Sequence, residues 1–303
     1  MTLLLIGPKE RGRVWGQVFE QAGEAMVFGE DAVDDPAAIT HLACWNPPDD
    51  LGRYPNLTSV ISTGAGVDQM PPLPEGVALV RTLAPSVDEL VRDWVLMSSL
   101  MLYRDMPRYL AQAAEGEWRP HPPQQANAGR LGIMGLGRIG RLVAESTVSL
   151  GFDVAGWSRS GADVPGIKVY GHDDLEPFLA RTDLLICLLP LTDQTRGLLS
   201  TRVFRMMPRG AALVHAGRGA QLDMEAMRSA LDDGQLRAAM LDVTEPEPLP
   251  QDHWAWRDPR VIVTPHIGGE TDAAEGARHA LAVIRAGREG NNLPGLVHGN
   301  KGY

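Results

Sequence analysis

Three segments of the sequence carry side chains whose chemistry is suited to acting on a carbonyl compound. Arg218 lies in the segment H-A-G-R-G, Glu247 in E-P-E-P-L-P and His266 in T-P-H-I-G-G. Each segment follows a short apolar run that is typical of a β-strand, and open α/β sheets gather their ligands at the carboxyl ends of strands. We therefore expect an imidazole, a carboxylate and a guanidinium to meet at one edge of a sheet.

These groups could together support the reduction of a ketone, which needs a hydride on carbon and a proton on oxygen. An imidazole titrates near neutral pH, so His266 can donate that proton, and Glu247 would orient the ring and favour its protonated form. Arg218 can pair with a substrate carboxylate and polarise its carbonyl through a second N–H. Taken singly, each residue also has a structural interpretation: a strand-end histidine, a turn-capping arginine and a solvated loop carboxylate.

A glycine-rich loop lies upstream of these segments. The run Gly135-Leu136-Gly137-Arg138-Ile139-Gly140 matches G-x-G-x-x-G, follows the apolar residues 131–134 and opens an amphipathic segment over 138–150. Glycines at these offsets allow a tight turn and close approach of the backbone to a pyrophosphate at a helix N-terminus. Three glycines at fixed offsets also occur by chance, so a plain strand-to-helix turn is the alternative. The flanking pattern favours a dinucleotide site.

The next predicted strand ends at Trp157 and is followed by Ser158, Arg159 and Ser160. At about this distance from the glycine loop, an NAD-dependent enzyme places an acidic residue on the ribose 2′-hydroxyl. No carboxylate is present here, and a guanidinium between two hydroxyl groups suits a 2′-phosphate instead. We therefore predict NADP(H) as the preferred cofactor, with NAD(H) bound more weakly. A solvated loop arginine is the alternative interpretation of Arg159.

The composition is that of an ordinary globular protein and argues against several classes of partner. The 303 residues carry 28 basic and 38 acidic side chains, a formal net charge of −10, and no basic run. A chain this acidic is a poor match for nucleic acid or an anionic membrane surface. Cys44 and Cys187 form neither a disulfide framework nor a metal-ligand spacing, so no metal site is predicted. The first seven residues lack the features of a signal peptide, and we predict a cytoplasmic protein.

The strands and helices that position these residues can be predicted from the sequence. Short apolar runs alternate with amphipathic segments, which is the pattern of a parallel α/β sheet. Between two such series, residues 87–113 predict one long helix broken at Pro107, and a proline-rich connector follows at 119–123. A last helix, over 271–288, could fold back on the first series. Strands are predicted at residues 2–6, 25–27, 42–45, 59–62, 78–80, 131–134, 153–157, 184–188, 212–215, 239–242 and 261–264.

The order of these motifs resembles the D-isomer-specific 2-hydroxyacid dehydrogenase family, especially its glyoxylate/hydroxypyruvate reductase branch. The resemblance covers nearly the whole chain and includes L-P-L-T from Leu189 and the spacing from Asp242 to E-P-L-P. It implies that Arg218, Glu247 and His266 form the active set. It further implies cofactor contacts at strand ends, namely Leu189, Pro190, Ala216, Asp242 and Gly268.

A second loop resembles the family's G-A-G-V-D segment, with Gly64, Ala65 and Gly66 as its small residues. Such residues free successive backbone N–H groups to point at an anion, here the substrate carboxylate; a tight strand-to-helix turn is the alternative. Trp45 resembles a position that walls the substrate pocket in the reductase branch, which would favour two- and three-carbon acids. A buried core tryptophan is the alternative there. The sequence departs from the family's usual pattern mainly over Val87–Val95, where Arg92-Asp93-Trp94 is less typical.

The family's fold implies two Rossmann-like or flavodoxin-like parallel-sheet domains with an active-site cleft between them. Residues 1–98 and 271–303 would form the substrate-binding domain, and residues 99–270 the dinucleotide-binding domain. The helix from Val87 and the segment 118–123 resemble the part that crosses into the second subunit of a homodimer. The predicted reaction is the NADPH-dependent reduction of a small 2-keto acid, such as glyoxylate or hydroxypyruvate, to the D-2-hydroxy acid. A dehydrogenase of a larger acid (phosphoglycerate-like or aromatic) and a non-catalytic nucleotide-sensing scaffold remain alternatives.

Overall fold

The computed structural model describes residues 1–122, 129–159, 161 and 163–297. Its strands are β1 (Thr2–Leu5), β2 (Ala25–Phe28), β3 (Ile39–Cys44), β4 (Ser59–Ser62), β5 (Ala78–Arg81), β6 (Arg130–Met134), β7 (Asp153–Trp157), β8 (Lys168–Tyr170), β9 (Leu184–Cys187), β10 (Ala211–His215), β11 (Leu236–Leu241) and β12 (Val261–Val263). Its α-helices are α1 (Lys9–Ala22), α2 (Pro85–Tyr103), α3 (Met106–Ala114), α4 (Arg138–Ser149), α5 (Leu175–Ala180), α6 (Thr201–Met206), α7 (Met224–Asp232) and α8 (Ala273–Arg288). Among these described helices, none has the length and apolar composition needed to cross a bilayer.

The chain divides into two compact units. Unit 1 comprises Met1–Val87 and the described residues from Glu270 onward, and unit 2 comprises Asp88–Gly269. The first boundary lies near the start of α2 rather than after residue 98, because the buried side of this helix packs within unit 2. There Trp94 and Leu102 share an apolar cluster with residues of β6. The assignment of substrate binding to unit 1 and dinucleotide binding to unit 2 stays a prediction.

Unit 1 is built on a five-stranded parallel sheet with the order β2-β1-β3-β4-β5. Helix α8, from the end of the chain, packs in this unit against α1. Trp15 and Phe19 of α1 are 1% exposed and share a cluster with Ala277, Ala280 and Ile284 of α8. The predicted return of the last helix to the first series of strands is therefore confirmed.

Unit 2 is built on a seven-stranded parallel sheet with the order β12-β11-β10-β9-β6-β7-β8. The strand order reverses between β6 and β9, so the connections after these two strands leave toward opposite faces of the sheet. Ligands of open α/β sheets bind in the crevice that this reversal opens at the carboxyl ends. The glycine loop follows β6, and Leu189 and Pro190 follow β9. The predicted fold class, two parallel-sheet α/β domains, is confirmed.

Several details of the predicted elements are wrong. The long helix ends at Tyr103 and resumes at Met106, so it is interrupted before Pro107, at Asp105, which adopts a φ of 58°. Pro107 instead lies in the first turn of α3, where its missing N–H has no helical partner to lose. Strand β8, Lys168–Tyr170, was not predicted, because three residues at a sheet edge are too few to show an alternating pattern. Strands β3 and β11 each begin three residues earlier than expected.

Both cysteines are buried in strands. Cys44 lies in β3 and Cys187 in β9, and neither is part of a disulfide. Burial raises the pKa of each thiol to about 12. Because the thiolate is the form that attacks substrates and binds metals, these two residues serve packing rather than chemistry.

Candidate active site

His266 and Glu247 are in direct contact at the carboxyl ends of the unit 2 strands. Nδ1 of His266 lies 2.9 Å from Oε2 of Glu247. The other carboxylate oxygen, Oε1, accepts a hydrogen bond from the backbone N–H of Thr244 at 3.0 Å. A carboxylate can only accept, so Nδ1 carries the proton and Nε2 is left to exchange a proton with a ligand. The two side chains are 34% and 40% exposed, so this pair is accessible.

The contact shifts the titration of both groups. The hydrogen bond to Glu247 raises the pKa of His266 above its ordinary value, although burial and the charge of Arg218 act in the opposite direction. Burial by itself would raise the pKa of Glu247, but the hydrogen bonds from His266 and Thr244 outweigh it, and the pKa of this carboxyl is lowered. The arrangement therefore favours a protonated imidazole beside an ionised carboxylate.

A buried carboxylate, that of Asp242, holds the turn that carries His266. This residue is 3% exposed and follows β11. Its Oδ1 accepts hydrogen bonds from the hydroxyl of Thr264 at 2.6 Å and the N–H of Ile267 at 2.9 Å, and its Oδ2 accepts from the N–H of Gly268 at 2.7 Å. His266 adopts a φ of 52°, which is uncommon for a residue with a side chain. Asp242 thus fixes the main chain on the C-terminal side of the imidazole.

Two further features stabilise the turn that carries His266. Trp94 of α2 donates its indole N–H to the hydroxyl of Thr264 at 3.1 Å, so that hydroxyl is oriented toward Asp242. Gly268 must lack a side chain, because a Cβ there would lie 2.6 Å from Oδ2 of Asp242. A contact between Asp242 and the cofactor, as expected from the sequence, stays a prediction.

Arg218 lies in the turn after β10, and Gly219 brings that turn against the segment that carries Glu247. A Cβ on Gly219 would overlap the backbone carbonyl of Thr244, so only glycine allows this approach. The guanidinium of Arg218 is close enough to lower the pKa of both His266 and Glu247. The structure therefore brings together the three side chains selected from the sequence, and their catalytic roles stay predictions.

The glycine loop packs tightly on one side and is open on the other. Gly135 has a φ of 98°, and a Cβ there would lie 2.9 Å from the carbonyl oxygen of Leu188. A Cβ on Gly140 would overlap the carbonyl oxygen of Gly135. Among the described residues, leaving aside its two chain neighbours, none has a heavy atom within 4 Å of an ideal Cβ on Gly137, which precedes α4. The exposed backbone at the start of α4 therefore fits the pyrophosphate of a dinucleotide.

Arg138, the charged residue of this loop, forms an ion pair with Asp88 of α2. The guanidinium is 46% exposed and the carboxylate 10% exposed. Ile139 and Ala216 are partly buried at the edge of an apolar cluster, and Leu189 is buried, so these three residues contribute to packing beside the loop. Their contacts with a cofactor stay predictions.

The predicted 2′-phosphate segment forms a turn after β7. The N–H of Ser158 donates to the carbonyl of Tyr170 at 3.1 Å, and its carbonyl accepts from Gly161 at 3.3 Å. Arg159 is exposed within this turn. Ser160 lies outside the described residues. The position of Arg159 at a strand end is that expected of a residue that recognises the adenosine ribose.

The predicted substrate loop and its tryptophan are in contact within unit 1. Trp45 is 43% exposed, so it is not a buried core residue, and a Cβ on Gly64 would lie 2.5 Å from its Cζ3 atom. The amide of Gln69 donates to the carbonyl of Trp45 at 3.2 Å, and the hydroxyl of Ser62 donates to the carbonyl of Gly66 at 2.7 Å. The indole therefore lies across a loop of small residues, and the role of that loop stays a prediction.

Among the residues that support the site, Thr244, Trp94 and Asp88 were not expected from the sequence in that role. Thr244 orients Glu247, Trp94 orients Thr264, and Asp88 pairs with Arg138. Trp94 and Thr264 are 170 residues apart in the sequence, so no local spacing could relate them. The departure from the family pattern at Arg92-Asp93-Trp94 was the one available signal, since it marked α2 as unusual.

Comparison with known proteins identifies the family of this chain. The family model for the D-isomer-specific 2-hydroxyacid dehydrogenase NAD-binding domain matches residues 96–268. The chain belongs to the D-isomer-specific 2-hydroxyacid dehydrogenase family. It is 32% identical to glyoxylate/hydroxypyruvate reductase A of Salmonella paratyphi B over 312 residues, which cover 100% of both chains.

Two solved structures are similar over the whole chain. A D-isomer-specific 2-hydroxyacid dehydrogenase from Xanthobacter autotrophicus in complex with NADPH has a TM-score of 0.94, with 32% identity, 100% of this chain and 99% of that chain covered. An NADPH-dependent glyoxylate/hydroxypyruvate reductase from Sinorhizobium meliloti in complex with NADP and sulfate has a TM-score of 0.93, with 32% identity and 100% of both chains covered.

The contact between His266 and Glu247 predicts a change in titration that can be measured without a substrate. Glu247→Gln removes the anion that raises the pKa of His266, so the imidazole should lose its proton at lower pH than in the wild type. Histidine NMR signals followed against pH would measure this, with the signal assigned by its loss in His266→Asn. Glu245→Gln makes the same chemical change two residues away and should leave the titration unchanged. An unaltered midpoint in Glu247→Gln would contradict the assigned pair.

Proposed function

We propose that this protein catalyses the NADPH-dependent reduction of a small 2-keto acid, with glyoxylate and hydroxypyruvate as its substrates, to the D-2-hydroxy acid. The observation that carries the proposal is the His266–Glu247 hydrogen bond beside the charge of Arg218, at the strand ends of the sheet that also presents the glycine loop. The names of the relatives from Salmonella and Sinorhizobium support the same activity.

NADPH supplies the hydride when it is bound. The protein's own part is to bind and polarise the keto acid and to provide the proton. Arg218 pairs with the substrate carboxylate and directs a second N–H at the carbonyl oxygen, which favours the build-up of negative charge there. His266 donates the proton on Nε2 to that oxygen, while Glu247 holds Nδ1–H and stabilises the charged imidazolium before transfer.

Several residues are suited to holding the cofactor. The backbone at Gly135, Gly137 and Gly140 would accommodate the pyrophosphate, with the guanidinium of Arg138 beside it. Arg159 would pair with the 2′-phosphate, and that interaction is the basis of the proposed preference for NADPH over NADH. The NADPH and NADP complexes of two similar proteins support this preference.

The substrate specificity would come from unit 1. The backbone of Gly64, Ala65 and Gly66 would bind the substrate carboxylate. The half-exposed indole of Trp45, which lies against Gly64, would wall the pocket and disfavour bulky side chains. Two- and three-carbon acids are the substrates that fit such a wall.

The proposal is tested by NADPH oxidation with glyoxylate, hydroxypyruvate, pyruvate and phenylpyruvate. We expect the first two to be turned over fastest, and His266→Ala should lower kcat by roughly 10²- to 10⁴-fold because a positioned acid is lost. His172→Ala, at an exposed histidine of the same unit, is the matched control and should remain active. Full activity in His266→Ala would remove this residue from the mechanism.

The same assay separates the alternatives. A wild-type protein that binds NADPH but oxidises it with none of the four acids would indicate a nucleotide-sensing scaffold. Faster turnover of phenylpyruvate than of glyoxylate would indicate a dehydrogenase of larger acids.

The proposed cofactor preference rests on Arg159 and is tested by replacing it. Arg159→Ala should raise the Kd for NADPH by at least about tenfold and leave that for NADH nearly unchanged, since only NADPH carries the 2′-phosphate. Cofactor titrations monitored by fluorescence would measure both constants. Arg202→Ala removes another exposed arginine of unit 2, on α6, and should change neither. Equal losses for the two cofactors would refute the assignment.

We also infer a homodimer, with α2 and α3 at its interface. Leu90, Met97 and Leu100 of α2 are 39–45% exposed at helical spacing, Leu110 of α3 is 50% exposed, and Trp118 is 98% exposed. Apolar side chains concentrated in this way are typical of a surface that is covered in the assembled protein. A location in the cytoplasm stays a prediction from the sequence.

The dimer is tested by sedimentation equilibrium. The wild type should have twice the chain mass of 32.8 kDa, and Met97→Glu should shift the equilibrium toward the monomer because a charge at the interface must be desolvated. Trp256→Glu places the same charge at a side chain of similar exposure, 46%, outside these helices and should remain dimeric. A monomeric wild type would exclude the interface.

A further inference from the structure

A glutamine side chain, that of Gln221, connects Arg218 to the segment after a neighbouring strand. Gln221 is 0% exposed. Its Oε1 accepts the backbone N–H of Arg218 at 2.8 Å, and its Nε2 donates to the carbonyl oxygens of Leu189 at 3.1 Å and Pro190 at 2.9 Å. The reversed amide would place N–H against N–H and oxygen against oxygen, so the orientation of this side chain is determined by its partners.

His215 contacts the backbone carbonyl of Arg218, the residue whose backbone N–H is bound by Gln221. It ends β10, is 0% exposed, and its Nε2 lies 2.9 Å from the carbonyl oxygen of Arg218. A carbonyl can only accept, so Nε2 carries the proton. Burial lowers the pKa of His215 to about 4, and the ring is therefore neutral around pH 7. The backbone N–H and C=O of Arg218 are thus each bound by a fully buried side chain.

Glycine at position 217 is required by this arrangement. A Cβ on Gly217 would overlap Oε1 of Gln221 and would lie 3.0 Å from the carbonyl oxygen of Leu189. The hydrogen bonds of Gln221 and the close packing of Gly217 therefore hold the Arg218 turn against the segment that follows β9. That segment lies at the reversal of strand order, where the sheet is expected to bind its ligand.

We propose that Gln221 and His215 are positioning residues for Arg218. They touch neither the reacting atoms nor the His266–Glu247 pair. Instead they fix the main chain from which the guanidinium projects, relative to Leu189 and Pro190. This inference rests on the proposed function, because it assigns to Arg218 the binding of the substrate carboxylate and carbonyl.

The expected effect is large because an arginine that binds a planar carboxylate through two N–H groups must be placed accurately. A displacement of about 1 Å caused away from the chemistry can lower turnover by roughly 10²-fold. The pair of His266 and Glu247 is held by a separate set of contacts, those of Asp242 and Thr244. Loss of the positioning residues should therefore impair substrate binding and polarisation while the His266–Glu247 hydrogen bond, which raises the pKa of His266, stays in place.

A second buried glutamine of unit 2 provides a matched control. Gln235 is 8% exposed, and its Nε2 donates to two consecutive carbonyl oxygens, those of Met207 at 2.9 Å and Pro208 at 3.4 Å. Gln235→Met removes the same kind of hydrogen bonds as Gln221→Met, but the contacts of Gln235 do not include Arg218. A purely structural role would make the two variants alike.

The experiment measures five quantities for each variant: Tm, the Kd for NADPH, kcat and KM with glyoxylate, and the pH at which kcat/KM falls. Both glutamine variants should lower Tm. Only Gln221→Met should raise KM, lower kcat and reduce kcat/KM by roughly 10²-fold. It should still bind NADPH, and the pH at which kcat/KM falls should not be lowered, because the contact with Glu247 that raises the pKa of His266 remains. If kcat/KM of Gln221→Met stays within about threefold of the wild type, or if Gln235→Met loses as much, the proposal is wrong.

A second pair of variants decides the question if Gln221→Met does not fold. His215→Gln keeps an N–H donor at the position of Nε2, whereas His215→Leu removes it. We expect His215→Gln to retain most of the activity. His215→Leu should lose activity through a higher KM and a lower kcat, as expected for Gln221→Met. Equal activity in the two would overturn the proposal. A wild type that binds NADPH without turning over any keto acid is a different result, since it removes the proposed function itself.

Discussion

The turn that carries His266 exists because a buried carboxylate accepts its hydrogen bonds. Asp242 binds the hydroxyl of Thr264 and the N–H groups of Ile267 and Gly268, on both sides of a residue with a positive φ. A left-handed conformation at a residue with a side chain costs roughly 1–3 kcal/mol, and each hydrogen bond to a charged group contributes roughly 1.5–3 kcal/mol. Three such bonds outweigh the cost, so the imidazole is held in a conformation that the local sequence alone would not favour.

The other parts of the site meet through direct backbone contacts at glycines. Gly219 lies against the backbone carbonyl of Thr244, and Gly135 lies against the backbone carbonyl of Leu188. Each contact joins a loop from one strand to a loop from its neighbour in the sheet. Because no Cβ separates the two backbone segments, the loops pack backbone to backbone. The functional side chains therefore project from a closely packed edge of the sheet.

The electrostatics of the site are a balance of two opposed local charges. Glu247 raises the pKa of His266, and Arg218 lowers it. A substrate anion paired with Arg218 would offset the second effect, so that binding itself would favour the protonated imidazole. The protein therefore does not need a strongly basic surface to bind an anionic substrate, in keeping with its net charge of −10.

The amino-acid pattern predicted the fold class, most strands of the two sheets and the grouping of Arg218, Glu247 and His266. It could do so because apolar periodicity reports strands, and because the motifs around Arg218, Glu247 and His266 occupy consecutive positions at strand ends. Short or interrupted elements were less visible: β8 has three residues, and the break at Asp105 depends on one left-handed residue.

The folded structure revealed which residues hold these three side chains in place. Gln221 reaches Leu189 across 32 residues, Ile267 reaches Asp242 across 25, and Trp94 reaches Thr264 across 170. It also showed that Trp45 is half-exposed rather than part of a core. A buried hydrogen bond joins atoms that the folded sheet brings within 3 Å or so of each other. No local spacing encodes such a pair, because its two members are selected by the packing of neighbouring strands.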